Sequence, residues 1–194
     1  MALEWPESLE PTETAWGMTY NNRAFTSTLS NAQQIVGYPG SYWTCSQTFG
    51  VLFAEDERQL TALLGRLQGM FGTVNIPALT RIREDDVGQA VVVSGIAQAT
   101  AMIIGGVSPS AKVFSLGDYI TVKGEMFEVV QDAVSSAQGQ VTVSLNKRIR
   151  RTLAAGIAIE YRNPYSEMRR VDDVHQVAIQ PVVSNCTLQF REAF

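Results

Sequence analysis

Only one stretch of the chain carries a helical stripe, although the chain is 194 residues long. Leu60, Leu63, Leu64 and Leu67 follow the i, i+3, i+4, i+7 spacing that lines one face of a helix, and this predicts a helix over residues 55–68. Glu55, Asp56 and Glu57 load its first turn, where the helix dipole favours negative charge. Gly69 supplies a left-handed stop. A single helix with four leucines on one face must lie against something, and the rest of the chain reads as sheet. Charged residues make up 18% of the chain and there are 15 glycines, a β-leaning globular composition.

The strand signals fall into two groups. Residues 23–30 alternate and are threonine-rich, and residues 42–49 are aromatic and β-branched. Between them Gly37-Tyr38-Pro39-Gly40 is turn chemistry, so the pair reads as a long hairpin. Residues 71–77 form a short strand after the helix, and residues 81–88 are polar and loop-like. From residue 89 to 149 the strands become short and evenly spaced, at 90–94, 111–114, 119–122, 126–130 and 141–145. Turns fall at Gly105-Gly106, Gly117-Asp118, Lys123-Gly124 and Gln138–Gln140, a pattern that suggests a small barrel or sandwich. Longer strands return at 157–161, 174–181 and 186–190. The expected organisation is a parent domain from residues 1–88 and 150–194, with a small β module, 89–149, inserted in it. Residues 1–19, with two prolines and four glutamates, read as an extended arm, and Trp5 and Trp16 imply that it packs on its own domain or on a neighbouring subunit.

The chemical inventory is sparse. His175 is the only histidine, so any nucleophilic triad must use it, and its strand-like context points it out from a sheet face. Asp85-Asp86 and Asp172-Asp173 sit in polar loops, and adjacent residues of a strand point to opposite faces, so they read as solvated turn acids. No spacing of cysteine and histidine matches a zinc site, and the Gly105-Gly106 pair follows no phosphate-binding pattern. No catalytic, cofactor-binding or metal-ligating residue is assigned. Asn146-Lys147-Arg148-Ile149-Arg150-Arg151 is the sharpest basic cluster. It reads as a solvated strand end or a partner for an acidic neighbouring subunit, ahead of a phosphate contact or a surface facing a lumen through which DNA passes; Met168-Arg169-Arg170 is read in the same way. The formal charge of −4 argues against non-specific nucleic-acid binding. Cys45 and Cys186 read as buried free thiols. The longest apolar stretch, 99–107, is far short of a membrane span, and the acidic, proline-containing start does not read as an export signal.

The order of these features resembles the small tail proteins of tailed bacteriophages. The carrying features are the strand pair, the single amphipathic helix and Phe71-Gly72-Thr73-Val74 after it. They continue with Leu116-Gly117-Asp118-Tyr119, Gly124-Glu125-Met126-Phe127-Glu128-Val129-Val130, Gly139-Gln140-Val141-Thr142-Val143-Ser144-Leu145 and the ending Leu188-Gln189-Phe190-Arg191-Glu192-Ala193. The resemblance implies a distal tail protein of a long non-contractile tail: a tail-tube-like β-sandwich with one helix and an inserted OB-like barrel. It further implies a non-enzymatic homohexameric ring without cofactors, located at the virion tail tip after assembly in the host cytoplasm. Such a ring joins the tail tube protein to the hub and receptor-binding proteins, and DNA crosses its lumen without specific binding. Two alternatives stand beside it. One is another tail component, a tube, terminator or hub subunit. The other is a carbohydrate-binding module that would use Phe114, Tyr119 and Phe127.

Overall fold

The computed structural model describes residues 2–174, 176–179 and 184–194. The chain opens with a two-residue strand, β1 (Leu3–Glu4), and builds a long hairpin from β2 (Glu13–Thr26) and β3 (Gln33–Leu52). Helix α1 (Ala54–Leu67) and β4 (Val74–Pro77) follow. Seven short strands come next: β5 (Gly88–Ser94), β6 (Ala101–Val107), β7 (Lys112–Phe114), β8 (Tyr119–Val122), β9 (Glu125–Glu128), β10 (Ala133–Val134) and β11 (Gln140–Ser144). The chain closes with β12 (Tyr165–Arg170), β13 (Ala178–Ile179) and β14 (Ser184–Glu192). It is mainly β with one α-helix, the class the sequence implied.

The main sheet runs β1-β4-β12-β14-β3-β2, with β13 beside β14. Its first pair is parallel and the others are antiparallel. Helix α1 buries all four stripe leucines in one cluster with Trp5, Trp43, Phe49, Met168, Leu188 and Phe190. Each buried leucine stabilises by about 2 kcal/mol through the apolar area taken from water. The helix stops one residue before the expected glycine. Gln68 turns left-handed at φ 50° and Gly69 follows at φ 67°. A Cβ on Gly69 would stand 2.9 Å from the Cα of Asp173, so only glycine fits there.

Residues 1–19, expected as an extended arm, are extended but not free. Trp5 and Leu9 are buried, and the Trp5 ring stacks on Phe49 with centroids 6.2 Å apart. The Trp5 indole N–H donates to the Leu9 carbonyl at 2.8 Å. From Glu13 the chain is already the edge strand β2.

A second cluster draws on Val87, the inward residues of β5 to β11, and Ile149, Leu153, Ile159 and Tyr161. Here the strands form three small sheets, β11-β6-β5, β8-β9 and β10-β7. None closes into a barrel. Single bridges join their edges instead, Val91 to Ala158, Gly95 to Leu153, Thr121 to Glu160 and Val129 to Leu145. The β8–β9 turn uses Lys123 and Gly124, both at positive φ, as the mirror-image hairpin turn demands.

Several expectations are corrected. The hairpin turn lies at residues 27–32, where the Ser27 N–H donates to the Ala32 carbonyl at 2.9 Å. Gly37, Tyr38, Pro39 and Gly40 are inside β3. They form a bulge, because Thr19 pairs with Tyr42 whereas Asn21 pairs with Tyr38. Pro39 has no N–H to give a ladder and Gly40 sits at φ 111°, properties that suit a bulge as well as a turn. Gly105 and Gly106 lie within β6, not in a turn; Gly106 packs so close to the Gln89 carbonyl that a Cβ would approach it to 2.2 Å. Residues 157–161 make isolated bridges rather than a strand. Of the strand expected at 174–181, only Ala178–Ile179 is one, and residues 175, 180 and 181 lie outside the described residues.

Candidate functional site

The β2–β3 hairpin has two environments along one ladder. Residues opposite each other in an antiparallel pair share a face. In the base, Trp16 faces Cys45 and Met18 faces Trp43, all on the side toward the core. The bulge on β3 adds two residues, an even number, so the alternation continues unbroken past it. Core-side parity then carries Asn22 with Gly37, Ala24 with Ile35 and Thr26 with Gln33. The other face carries Asn21 with Tyr38, Arg23 with Val36 and Phe25 with Gln34. No residue from 19 to 40 is buried. Tyr20, Phe25, Ile35 and Tyr38 are all exposed large apolar groups, and Leu29 at the turn is 99% exposed. Apolar side chains therefore stand in water on both faces of the tip.

The same segment is nearly without charge. Between residues 14 and 53 the only ionic side chain is Arg23. Soluble edge strands usually carry charges that discourage pairing with another chain, and β2, the last strand of the sheet, carries one in its exposed half. Its outer edge of backbone groups and its apolar tip make this a surface suited to joining another protein.

Within the basic cluster at residues 146–151, Lys147 and Arg150 take a different place from any expected. Lys147 has no exposed side-chain surface and is ion-paired with Glu192, itself buried, and with Glu125 at 3.5 Å. Arg150 Nη2 lies 2.7 Å from Glu192 Oε2 and its guanidinium also donates to the Ser41 carbonyl. Glu192 Oε2 further accepts the Trp43 N–H at 3.0 Å. The Trp43 indole donates to the Met126 carbonyl at 2.9 Å. These contacts tie the second cluster to the base of the hairpin, within one chain. The partners of Lys147 and Arg150 are this chain's own acids, Glu125 and Glu192, distant in sequence from the cluster, whereas Arg148 and Arg151 are exposed, as a solvated strand end requires. Burial drives the Glu125 carboxyl above its ordinary value, opposed by Lys147 and Arg150, and drives the Lys147 ammonium below its own, opposed by Glu192 and Glu125. Arg148 donates to the Gln98 carbonyl at 3.0 Å, a structural use as well.

The remaining candidates are scattered. Asp85 pairs with Arg83, and Asp86 with Arg162 at 2.8 Å while receiving the Gly88 N–H. Asp173 accepts the Met70 N–H at 3.0 Å, beyond the end of the helix. Those acids serve loops rather than a shared site. Met168 is in the first core and Arg170 is buried in β12, donating to the Val174 carbonyl at 2.9 Å. His175 lies outside the described residues. Both cysteines are buried free thiols, and desolvation lifts Cys45 to about 12. Phe114 and Phe127 are fully buried and Tyr119 nearly so, which leaves no face of theirs for a sugar to stack on. Among the described residues no group of three or more His, Cys, Asp or Glu gathers to hold a metal. No helix of the described residues is long and apolar enough to cross a membrane. Of the hairpin tip only the β2 half, within residues 23–30, was legible as strand, and neither half as a site; the signal for the site was the single charge across residues 14–53.

No family model matches this chain, and no curated protein gives a significant match.

Proposed function

We propose that this chain is a structural, non-enzymatic subunit of a ring at the distal end of a bacteriophage tail. Six copies form the ring, which connects the tail tube protein to the hub and receptor-binding proteins of the virion tip, and DNA passes its lumen without specific contact. The observation that carries this reading is the hairpin. A two-stranded ribbon with apolar groups on both faces and an unpaired edge lowers its free energy by joining another protein surface. Copies arranged around a closed ring supply such a surface to every member.

The resemblance in feature order adds to the reading. So does the division of the apolar core into two clusters, which suits a tail-tube-like parent domain with a module inserted in it; Val87, Leu153, Ile159 and Tyr161 pack with the second cluster, so the inserted module reaches past the expected bounds 89–149 on both sides, and Tyr119 and Met126 of that stretch pack with the first. The single bridges lead from β5 through residues 153–160 to β8 and β9, and back through Val129 and Leu145 beside β11, a circuit that favours an OB-like barrel for the insert.

Negative-stain electron microscopy of the purified full chain tests the proposal. The expected images are rings with sixfold symmetry. A chain that stays monomeric at high concentration, and that is absent from virions, overturns it.

A further inference from the structure

Beside the β1–β4 end of the strand order lies a cleft of about 490 Å³. Its walls are acidic: Glu4, Glu7, Glu10 and Glu160 line it, and no lysine or arginine does. None of the four is ion-paired among the described residues; Glu4 takes the Asn75 amide and Glu160 takes the backbone N–H groups of Arg162 and Asn163. Its rim is apolar, with Leu79 and Ile82 about half exposed. The cleft therefore asks for a ligand that is apolar and carries positive charge.

We infer that the cleft receives the hairpin tip of a second copy of this chain, with Phe25 on Leu79 and Ile82 and Arg23 among the glutamates. The inference rests on the ring reading above and names the contact that would build the ring. Charge complementarity chooses the occupant: Arg23 is the only ionic group between residues 14 and 53 and so of the hairpin tip, it is exposed, and it shares a face with Phe25. Topology agrees. The tip belongs to β2 and β3 at one end of the strand order, whereas the cleft belongs to β1 and β4 at the other. A donor tip and an acceptor cleft that are different surfaces of one chain make a head-to-tail contact, the kind that repeats and closes by rotation.

The hairpin's own tip is badly placed for its own cleft. Leu79 also lines a small hollow with Trp16, so the cleft lies near the base of β2. Phe25 stands nine residues farther along, roughly 30 Å at the rise of an extended strand. A second copy meets no such restriction.

The test uses the full chain with Phe25→Cys and Ile82→Cys, treated with a short bismaleimide. Both native cysteines are buried and stay out of the reaction. The expected product is a ladder of linked multimers. Arg23→Glu should abolish the ladder and weaken self-association, by sedimentation velocity, by about tenfold or more. Adding Glu7→Arg and Glu10→Arg to Arg23→Glu should restore both, a rescue that mere disturbance of the fold cannot give. Three results overturn the inference. If sixfold rings form but neither crosslink nor charge swap affects them, the ring reading stands and the cleft is not its contact. Linked dimers from Phe25→Cys alone, at the same rate, would mean tip-to-tip association. A chain monomeric under all conditions removes the ring reading and this contact together.

Discussion

The base and the tip of the β2–β3 hairpin share two strands and one unbroken alternation, yet only the base has a core to face. In the base, Trp43, Cys45 and Phe49 point into the cluster under α1, and Glu192 receives the Trp43 N–H. In the tip the same parity presents Ile35 and Ala24 to water, and the reverse face presents Phe25 and Tyr38. The contrast teaches that strand pattern and strand burial are separate properties. The ladder sets which residues share a face; a neighbouring element decides whether that face is covered. Where this chain supplies no neighbour, the pattern itself is the reason to look for another molecule.

The largest expected effect breaks the base. Phe49 is fully buried, and its ring stacks on Trp5. Phe49→Ala should cost about 3–5 kcal/mol, the transfer term plus the cavity left between sheet and arm. Chemical denaturation followed by tryptophan fluorescence measures it. A loss below about 1 kcal/mol would mean that the base is no better packed than the tip, and the comparison would fail.

The ionic junction sharpens the comparison at smaller scale, and the sign is the informative part. Burial raises the Glu125 carboxyl above its ordinary value, so the fold binds that proton more tightly than the unfolded chain does. Its contribution is fully present below the ordinary carboxylate value and is lost as pH rises through the folded value. Glu125→Gln keeps the shape and removes the charge. The stability of Glu125→Gln relative to the parent should therefore be more favourable at pH 7 than at pH 4, by thermal unfolding at the two values. The opposite order would mean that Lys147 and Arg150 outweigh burial at this position.

What could be read in advance follows the same division. The leucine stripe placed α1 to within one residue at each end, because a four-residue apolar face leaves little freedom in register. Lys123-Gly124 placed the β8–β9 turn, because few residues accept two consecutive positive φ values. Gly37 to Gly40 misled, because a bulge and a turn ask the same of proline and glycine. β6 was hidden by Gly105 and Gly106, which break the alternation, and β12 by its charges. Of these, Arg170 is buried in the sheet although its sequence setting reads as solvated. The basic cluster was legible as a cluster only. Its acids stand 22 residues upstream of Lys147, at Glu125, and 45 downstream, at Glu192, and nothing local joins them. Of the apolar tip only the β2 half was visible as strand, and whether a strand is covered is a tertiary property.

The smallest expected effect belongs to the tip and decides whether its side chains contribute to the isolated fold at all. Leu29 is 99% exposed at the hairpin turn, held by backbone contacts that do not use its side chain, such as the Asn31 N–H to the Ser27 carbonyl at 3.0 Å. Leu29→Ser removes apolar surface from water without opening a cavity or orphaning a polar group. The unfolding free energy of the dissociated chain should change by no more than about 0.5 kcal/mol, measured by denaturation at a concentration low enough to keep copies apart. The same substitution should lower the tendency to associate as concentration rises, because exposed apolar area drives contact between chains. A loss of monomer stability comparable to that of Phe49→Ala would mean that Leu29 already packs within its own chain, and the distinction between a covered base and an uncovered tip would be lost.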